Sequence, residues 1–356
     1  MKTYLVTGGA GFIGSNFVIY MLNKYDDVKI INVDKLTYAG NLENLKSVEN
    51  NPRYCFYQAD ICSREAISEI FNKHEIDYVV NFAAESHVDR SIANPEIFVE
   101  TNVLGTVNML QCAKVAWQRG DDTYKEGVKY LQVSTDEVYG SLGETGYFTE
   151  TTPLDPHSPY SSSKASADLF VKAFGDTYKF PVNITRCSNN YGPYQFPEKL
   201  IPLIMNNTLN HKELPVYGDG MQIRDWLYVE DHCKAIDMVI RDGVLGEVYN
   251  VGGHNERTNI FIVKSIISYI KENVDDTVGE HMIRHVTDRK GHDRRYGIDP
   301  QKIKDALGWY PETPFEIGIK KTLAWYLQNK EWVENVTSGD YQKYYDKMYG
   351  GKKDAE

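Results

Sequence analysis

Two adjacent carboxylates, Asp136 and Glu137, follow a predicted strand in the segment STDEVYG (134–140). Neighbouring like charges repel each other and lose hydration near a protein interior, so this placement is unfavourable unless a reaction uses it. If one carboxyl stays protonated while the other is ionised, the pair supplies an acid and a base at the same pH. Both can enter one pocket only if the strand turns at Thr135. The alternative is that both are solvated loop residues or helix caps.

A tyrosine and a lysine four residues apart, Tyr160 and Lys164, lie at the start of a predicted helix, PYSSSKASADLF. Residues i and i+4 share a helix face, so the ammonium can favour the phenolate and lower the tyrosine pKa toward the working range. Such a phenolate is a usable base for a sugar hydroxyl. In a chain with 26 tyrosines the spacing can arise by chance, but here it follows a Gly-rich turn and a strand that ends in Ser134 and Thr135.

A glycine-rich turn places Gly8, Gly11 and Gly14 directly after the first predicted strand and at the start of a helix. These glycines permit a tight turn close to a pyrophosphate, which the helix N-terminus attracts. Asp34 ends the second strand about 20 residues later, where a carboxylate binds ribose hydroxyls and repels a 2′-phosphate. The sequence therefore predicts NAD rather than NADP as the cofactor, although Lys35 follows this carboxylate.

Two further strand ends face the same predicted crevice. Asp60 follows the third strand, where it can reach the adenine amine or, alternatively, cap the next helix. Ala83 and Ala84 follow the fourth strand, and their small side chains permit close approach of a cofactor. Four strand ends at one edge of a sheet predict a dinucleotide site.

The elements that position these residues alternate between short apolar strands and amphipathic helices. The predicted strands span 3–7, 29–33, 54–58, 78–82, 129–133 and 182–186. This alternation predicts an α/β protein, a Rossmann-type doubly wound parallel sheet with helices on both faces. After residue 190, Pro and Gly become frequent and the elements shorten. We therefore predict an NAD-binding domain over 1–190, to which later segments return, and a smaller mixed α/β substrate lobe over 191–340.

Composition argues against several classes of protein. The 356 residues are 42% hydrophobic and 25% charged, as in globular proteins, and are too many for most single cores. The net charge of −11 argues against nucleic acid or an anionic membrane as a partner. No apolar run reaches the ~18 to 20 residues of a membrane span, and we see no signal peptide, so we expect a cytoplasmic protein. The five cysteines lack ligand spacing, which predicts reduced thiols and no metal site.

Several longer motifs resemble the extended short-chain dehydrogenases/reductases, which act largely on nucleotide sugars, and within them the dTDP-glucose 4,6-dehydratase family. The motifs are TGGAGFIG (7–14), DKLTYAGN (34–41), AAESHVDRSI (83–92), STDEVYG (134–140), YSSSK (160–164), RCSNNYGPYQFPEKLIP (186–202), PVYGDG (215–220), RDWLYVEDH (224–232) and DRKGHDRRYGID (288–299). The resemblance runs from residue 3 to about 310. One departure is Lys290, where the family more often has Pro.

The resemblance implies a mechanism. Tyr160, supported by Lys164, removes the proton of the glucose 4-hydroxyl while the C4 hydride passes to NAD, and Thr135 hydrogen-bonds the 4-oxygen. Glu137 then abstracts the C5 proton, and Asp136 protonates the departing C6 hydroxyl. The hydride returns to C6, so tightly bound NAD is recycled within the cycle. The products are dTDP-4-keto-6-deoxy-D-glucose and water.

The resemblance also implies a set of binding residues. Besides those named above, the cofactor residues are Phe12, Ile13, Leu36, Thr37, Ile61, Ser86, Thr101 and Asn190, with Tyr160 and Lys164 shared with catalysis. The residues for dTDP-glucose are Ser86, Thr135, Asp136, Glu137, Asn189, Glu198, Lys199, Leu200, Pro215, Val216, Tyr217, Arg224, Asn259, Arg289 and His292. Independently, Arg224 and Arg289 suit a diphosphate, because a guanidinium forms forked bonds to it. An ion pair with Asp225 is the alternative for Arg224.

Two predicted helices, near 95–118 and 160–179, have apolar stripes. The stripes consist of Val99, Val103, Val107 and Leu110 in the first helix and Ala167, Phe170, Val171 and Phe174 in the second. We expect most of this surface to pack on the sheet. The resemblance implies that the same helices also pair with a second subunit in a four-helix bundle, which predicts a homodimer.

Three other functions remain open on sequence grounds. They are a UDP- or CDP-glucose 4,6-dehydratase, a sugar-nucleotide 4-epimerase and a non-catalytic NAD-binding protein. The Asp136–Glu137 pair favours dehydration, since related epimerases have a different pair after the Ser/Thr. The presence of Tyr160 and Lys164 favours an enzyme over a binding protein.

Overall fold

The computed structural model describes residues 1–337, so the last residues of the predicted 191–340 lobe lie outside it. The strands are β1 (Lys2–Thr7), β2 (Val28–Asp34), β3 (Tyr54–Gln58), β4 (Tyr78–Asn81), β5 (Gln118–Gly120), β6 (Thr123–Tyr124), β7 (Lys129–Thr135), β8 (Val182–Cys187), β9 (Asn189–Tyr191), β10 (Leu214–Tyr217), β11 (Ile223–Tyr228), β12 (Val248–Val251), β13 (Glu256–Thr258) and β14 (Ile283–Val286). The α-helices are α1 (Phe12–Lys24), α2 (Arg64–Lys73), α3 (Val88–Ala93), α4 (Glu96–Phe98), α5 (Thr106–Trp117), α6 (Pro159–Tyr178), α7 (Leu200–Leu209), α8 (Val229–Asp242), α9 (Asn259–Asn273), α10 (Gln301–Leu307), α11 (Phe315–Gln328) and α12 (Lys330–Thr337). A π-helix spans Val99–Gly105, and 3-10 helices span Leu42–Leu45, Asp136–Tyr139 and Glu280–Met282.

A seven-stranded parallel sheet forms the centre of the molecule, in the order β12-β8-β7-β4-β1-β2-β3. The predicted Rossmann-type doubly wound sheet is thereby confirmed, and each of the six predicted strands lies within it. Strand order reverses between β1 and β4, which opens a crevice at the carboxyl ends of the strands. The seventh strand, β12, comes from the C-terminal half of the chain and pairs with β8 at the sheet edge.

Helices cover both faces of this sheet because its strands are apolar on both sides. One face packs against α1, α8 and α10, in a core that includes Phe17, Met21 and Ile236. The other face packs against α2, α5 and α6, in a core that includes Leu110 and Phe174. A third core joins α7, α9, α11 and α12 around the small sheets β10-β14 and β13-β11-β9, and this is the smaller lobe.

Helix α6 positions the predicted tyrosine and lysine, and its ends are well defined. Ser158 and Ser161 form a reciprocal capping box around Pro159 at the first helical position. The helix ends at Lys179, whose φ of 53° is left-handed. The start of α6 is therefore fixed by local sequence, and this fixes where Tyr160 lies.

The apolar stripes divide between core and surface. Leu110, Ala167, Val171 and Phe174 are buried and Val103 and Val107 are partly buried, whereas Val99 and Phe170 are 52% and 45% exposed. The expectation that most of this surface packs on the sheet is thereby confirmed. Val99 begins a π-helix, whose wider turn departs from the regular helical spacing on which the stripe was based. Phe170 lies next to the buried Val171 on the outer side of α6.

Within residues 1–337, no helix combines the length and apolar character that crossing a membrane requires. All five cysteines lie in this range and are free thiols. The same residues contain no cluster of His, Cys, Asp and Glu that could hold a metal ion.

Candidate active site

A cleft lies at the carboxyl ends of the central strands, across the point where strand order reverses. The predicted residues that line it are Gly8, Gly11, Phe12, Ile13, Gly14, Asp34, Lys35, Thr37, Asp60, Ile61, Ala83, Ala84, Ser86, Thr101, Thr135, Asp136, Glu137, Tyr160, Lys164, Asn189, Asn190, Glu198 and Lys199. The structure thus brings the predicted cofactor residues and the predicted catalytic residues into one cleft. Leu36 was also predicted to bind the cofactor, but it is not among the described residues that line the cleft.

The glycine turn after β1 forms one end of this cleft. Gly8 has a φ of 67°, and a Cβ added there would lie 2.7 Å from the backbone nitrogen of Ala83. At Gly14 an added Cβ would lie 2.3 Å from the carbonyl oxygen of Gly8. Gly11 is the N-cap of α1, and no side chain of the described residues caps its N–H groups. Free N–H groups and the helix dipole favour an anionic group there.

Asp34 lies at the end of β2, buried against the glycine turn. Its two carboxylate oxygens accept hydrogen bonds from the backbone N–H groups of Leu36 (2.8 Å) and Ala10 (3.0 Å). Burial raises the pKa of Asp34, and these two hydrogen bonds lower it. Leu36 donates this bond from a left-handed backbone conformation, with a φ of 57°.

Asp60 faces the cleft next to Lys35. The Lys35 ammonium lies 2.6 Å from the Asp60 carboxylate, and this hydrogen bond lowers the pKa of Asp60 against the effect of burial. Asp60 also accepts from the N–H of Cys62, but the N-cap of α2 is Ser63, which accepts from Ala66. The alternative interpretation of Asp60 as the N-cap of the following helix was therefore wrong.

The two adjacent carboxylates enter the cleft because β7 ends at Thr135 and a 3-10 helix begins at Asp136. The turn that the sequence analysis required at Thr135 is thereby confirmed. The Thr135 hydroxyl accepts from the N–H of Glu137 at 3.3 Å and donates to Asp136 Oδ1 at 3.2 Å. Tyr160, at the start of α6, lines the same cleft. In a strand, the side chains of adjacent residues would point to opposite faces. Because a 3-10 helix begins at Asp136 instead, both carboxylates line the cleft.

The two carboxylates have different electrostatic surroundings. Burial raises the pKa of Asp136 well above its usual value, and the neighbouring Glu137 and Asp225 carboxylates raise it further. Burial also raises the pKa of Glu137, but Arg224, Lys199 and Arg289 oppose this shift. Arg224 also lowers the pKa of Asp136, and Asp293 also raises that of Glu137. Because two further cations, Lys199 and Arg289, act on Glu137 whereas the carboxylates of Glu137 and Asp225 act on Asp136, we assign the proton that the pair retains to Asp136.

Tyr160 and Lys164 differ in one respect from the sequence expectation. The Lys164 ammonium donates to the carbonyl oxygen of Val133 at 2.8 Å. The pKa of Tyr160 is raised well above its usual value, first by burial and then by the Glu137 charge. The expectation of a lowered tyrosine pKa was wrong for this arrangement, because the phenol lies in a dry site next to carboxylates and this outweighs its position one turn from Lys164.

Several predicted substrate residues lie on the smaller lobe, next to the cleft. They are not among the described residues that line the cleft. They are Leu200 at the start of α7, Pro215, Val216 and Tyr217 on β10, Arg224 on β11, Asn259 at the start of α9, and Arg289 and His292 in the loop after β14. Three of them form a cluster. The Arg289 guanidinium lies 4.8 Å from the centre of the Tyr217 ring, and His292 lies edge-on to the same ring.

Arg224 is buried between the two lobes. Its guanidinium donates to the carbonyl oxygens of Ile223 and Asp293 and lies 4.2 Å from the ring centre of Tyr296. Asp225 instead accepts from the N–H groups of Gly253 and Asn255. The alternative of an Arg224–Asp225 ion pair was therefore wrong. The positive charge of Arg224 lowers the pKa of Glu137 against the effect of burial.

Arg90 and Tyr38 lie next to the cleft and were missed as site residues. Arg90 Nε lies 3.2 Å from Glu198 Oε2, and its guanidinium lies 3.6 Å from the centre of the Tyr38 ring. This stack connects the loop after β2 to the loop before α7. Both residues occur in motifs noted above, AAESHVDRSI and DKLTYAGN, but sequence gives no sign that the two segments touch.

These features together define an enzyme of the extended short-chain dehydrogenase/reductase class. The chain has its strand order, its glycine turn at the switch point, and its Tyr160 and Lys164 next to the end of β7. Within that class, the chain belongs to the family whose model is described as GDP-mannose 4,6 dehydratase and which matches residues 5–322.

Close relatives have a more specific name. A dTDP-glucose 4,6-dehydratase of Xanthomonas campestris is 52% identical over 345 residues, which are 96% of this chain and 98% of the relative. A dTDP-glucose 4,6-dehydratase of Escherichia coli K12 is 51% identical over 98% of this chain and 99% of the relative.

Solved structures are similar over most of the chain. A dTDP-glucose 4,6-dehydratase of Bacillus anthracis in complex with NAD has a TM-score of 0.85 and 50% identity, and the match covers 94% of this chain and all of that one. A UDP-glucose 4-epimerase of Thermotoga maritima has a TM-score of 0.81 but only 29% identity, over 92% and 99% of the two chains. Dehydratases and epimerases thus share this fold, and the site residues must distinguish them.

Proposed function

We propose that the chain is an NAD-dependent hydro-lyase that converts dTDP-D-glucose to dTDP-4-keto-6-deoxy-D-glucose and water. The observation that carries this proposal is the pair of adjacent carboxyls, Asp136 and Glu137, which lines the cleft that contains Tyr160 and in which burial raises the pKa of Asp136 well above its usual value. Loss of water across C5 and C6 needs a base and an acid in addition to the group that deprotonates the 4-hydroxyl, whereas epimerisation at C4 needs only that group, which takes the proton and later returns it. The names of the relatives support the same reaction.

The residues of the cleft fit NAD. A side chain at Gly8 or Gly14 would collide with backbone atoms, so these glycines permit the tight turn that brings the N-terminus of α1 to the cleft. The N–H groups at that terminus, which no described side chain caps, suit a bound pyrophosphate. Each carboxylate oxygen of Asp34 accepts one backbone hydrogen bond and keeps a lone pair for a ribose hydroxyl. The bound NAD of the Bacillus anthracis relative supports this assignment. When bound, NAD would accept a hydride from C4 of the sugar and return it to C6.

Side chains of the cleft transfer the protons of the reaction. Tyr160 takes the proton of the 4-hydroxyl, and the positive nicotinamide and Lys164 favour its phenolate against the effect of burial. Thr135 hydrogen-bonds the 4-oxygen. The resulting ketone acidifies the C5 proton, which Glu137 removes, and Asp136 gives its proton to the C6 hydroxyl as that group leaves as water. Return of a hydride to C6 and of a proton to C5 leaves one water lost from the substrate.

The cationic side chains of the smaller lobe suit the diphosphate of the substrate. Lys199 lines the cleft, and the positive charges of Arg224, Lys199 and Arg289 each lower the pKa of Glu137. Guanidinium groups bind a diphosphate with charge-assisted bonds. A relative from Streptomyces venezuelae, 45% identical, has NAD and TDP bound. We therefore assign the segment 191–337, except for α8, β12 and α10, chiefly to substrate binding and the segment 1–190 to NAD.

The chain is also proposed to act as a homodimer in the cytoplasm. The π-helix and α6 present four large apolar side chains to the outside, with 45% to 59% of each exposed: Val99, Leu104, Leu169 and Phe170. An apolar patch of this kind is typical of an interface with another protein, and a self-complementary pair of helices suits a second copy of the chain.

The function is tested by incubating the purified chain, with no added NADH, with dTDP-glucose, UDP-glucose, CDP-glucose and, because of the family name, GDP-mannose. A 4-keto-6-deoxy product is expected fastest from dTDP-glucose, with the cofactor oxidised before and after turnover. If a galactose epimer is the main product, the dehydratase proposal is wrong. Faster turnover of another nucleotide sugar would change the substrate and leave the reaction type intact.

A further inference from the structure

A third charged residue continues the face of α6 that contains Tyr160 and Lys164. Asp168 follows Lys164 by four residues, so these three side chains form a stripe at i, i+4 and i+8. Asp168 is 1% exposed and does not line the cleft. It therefore lies behind Lys164, in the interior of the protein, where it cannot touch the substrate.

A buried carboxylate is costly unless it is paired, and Asp168 is paired with Arg186 of β8. Arg186 Nε donates to Asp168 Oδ2 at 2.9 Å, and both side chains are buried. The same guanidinium donates to the Tyr139 hydroxyl at 2.9 Å, and that hydroxyl donates to Asn250 Oδ1 at 2.8 Å. A hydrogen-bonded chain of four side chains thus holds the Asp168 carboxylate in one orientation. Burial raises the pKa of Asp168, and the Arg186 charge opposes that rise.

Lys164 needs such a partner because it is 4% exposed and its ammonium has lost the solvation of water. The carbonyl oxygen of Val133 accepts one of its hydrogen bonds, at 2.8 Å, and carries no full charge to balance it. Burial lowers the pKa of Lys164, and Asp168 opposes this more strongly than the Cys187 thiol does. Asp168, one helical turn further along α6, is therefore the carboxylate whose charge favours the Lys164 ammonium.

We propose that Asp168, held by Arg186, is a positioning residue that keeps the Lys164 side chain, one helical turn from Tyr160, charged. The inference rests on the proposed function, in which the Lys164 ammonium favours the Tyr160 phenolate. It adds that the buried Asp168–Arg186 ion pair, which does not contact the substrate, keeps this ammonium charged. Without Asp168, Lys164 loses its proton more readily, and the phenolate loses the cation that favours it.

The test compares Asp168→Asn with the double variant Asp168→Asn/Arg186→Gln. The single variant leaves the Arg186 charge buried and unpaired, which by itself destabilises the fold. The double variant removes both charges and is therefore the one expected to fold. Asp168→Glu keeps the charge and serves as the rescue. Asp176→Asn is the matched control, because Asp176 is an exposed aspartate of the same helix that pairs with Lys172.

The first measurement needs no substrate. Titration of tyrosinate absorbance in the NAD-bound protein, minus the same titration of Tyr160→Phe, isolates Tyr160. In both Asn variants we expect its midpoint to rise by about one pH unit or more, with Asp168→Glu close to the unaltered protein and Asp176→Asn identical to it. The other titratable groups that act on Tyr160 or Lys164, namely Asp136, Glu137 and Cys187, are the same in every variant.

The second measurement is the pH dependence of turnover with dTDP-glucose, whose acid limb should move upward in the Asn variants with little change in KM. A purely structural role for Asp168 predicts a lower melting temperature with unmoved midpoints, and that result in the folded double variant would overturn the proposal. If the unaltered protein does not turn over dTDP-glucose, the proposed function fails, while the tyrosinate titration still decides the role of Asp168.

Discussion

At the scale of single residues, the proposed role of Glu137 as the base that removes the C5 proton gives a first prediction. In Glu137→Gln we expect oxidation at C4 to proceed but the C5 proton to stay, because an amide cannot remove it. Product formation should fall by about 10²- to 10⁴-fold, while NADH absorbance appears on addition of dTDP-glucose. Glu144→Gln, which alters an exposed loop residue, is the control and should behave as the unaltered protein. Normal turnover in Glu137→Gln would remove this residue from its role.

The proposed role of Asp136 as an acid gives a prediction for how activity falls at high pH. As a base, Glu137 must be ionised, so activity falls as pH drops through its pKa. As an acid, Asp136 must be protonated, so activity falls as pH rises through its pKa, and the raised pKa of Asp136 moves that fall to higher pH. Asp136→Asn should remove this basic limb and slow water loss. A substrate with a better leaving group at C6 should restore part of the rate, and failure of that rescue would contradict the assignment.

At the scale of elements, α8 reaches the cofactor side of the cleft through a buried histidine. His232 Nδ1 lies 2.9 Å from Asn190 Oδ1, and Asn190 lines the cleft. Burial lowers the pKa of His232 to about 3, so the folded protein keeps it neutral while the unfolded chain protonates near pH 6.5. Its contribution to stability is complete above pH 6.5 and is lost as pH falls, by about 2 kcal/mol at pH 5.

This prediction is checked with His232→Gln, which can still donate to Asn190 but does not titrate. Thermal melts at pH 7 and pH 5 should show a smaller fall in melting temperature for His232→Gln than for the unaltered protein. His281→Gln alters an exposed histidine of a 3-10 helix and is the control. Equal falls in all three proteins would show that His232 takes up its proton in the folded state.

Elements also show what the sequence could predict and what it could not. The strands of the central sheet and the glycine turn follow from local patterns, since apolar runs and glycine spacing are set by nearby residues. The exposure of Val99 did not follow, because a π-helix leaves no mark in hydrophobic spacing. The raised pKa of Tyr160 depends on the tertiary placement of carboxylates. The position of Asp168 on the same helix face could have been predicted from sequence, because it continues the four-residue spacing of Tyr160 and Lys164.

At the scale of the whole molecule, the exposed apolar side chains predict the assembly state. Leu104 is 59% exposed on the π-helix, and Phe170 is 45% exposed on α6. If both lie at a dimer interface, Leu104→Glu or Phe170→Glu should convert the dimer to a monomer, because a charge would be buried without a partner. Light scattering after gel filtration measures the mass. Val244→Glu, at an exposed apolar loop position, is the control.

Two results would contradict this prediction. One is a monomeric mass for the unaltered protein, and the other is a dimer that persists in both glutamate variants. Loss of the dimer in Val244→Glu as well would place the interface elsewhere.

Strand β12 has a consequence for how the chain is made. It pairs with β8 although some 60 residues separate the two, and Asn250 within it accepts the hydroxyl of Tyr139. A nascent chain that has reached only residue 190 therefore exposes β8 as an open sheet edge, which invites pairing with other chains. The nucleotide-binding half is not complete until Val251 has left the ribosome, by which point β9, β10 and β11 of the smaller lobe have been made. The synthesis of the two lobes is therefore interleaved, and we expect that cutting the gene after residue 190 would yield an aggregating fragment.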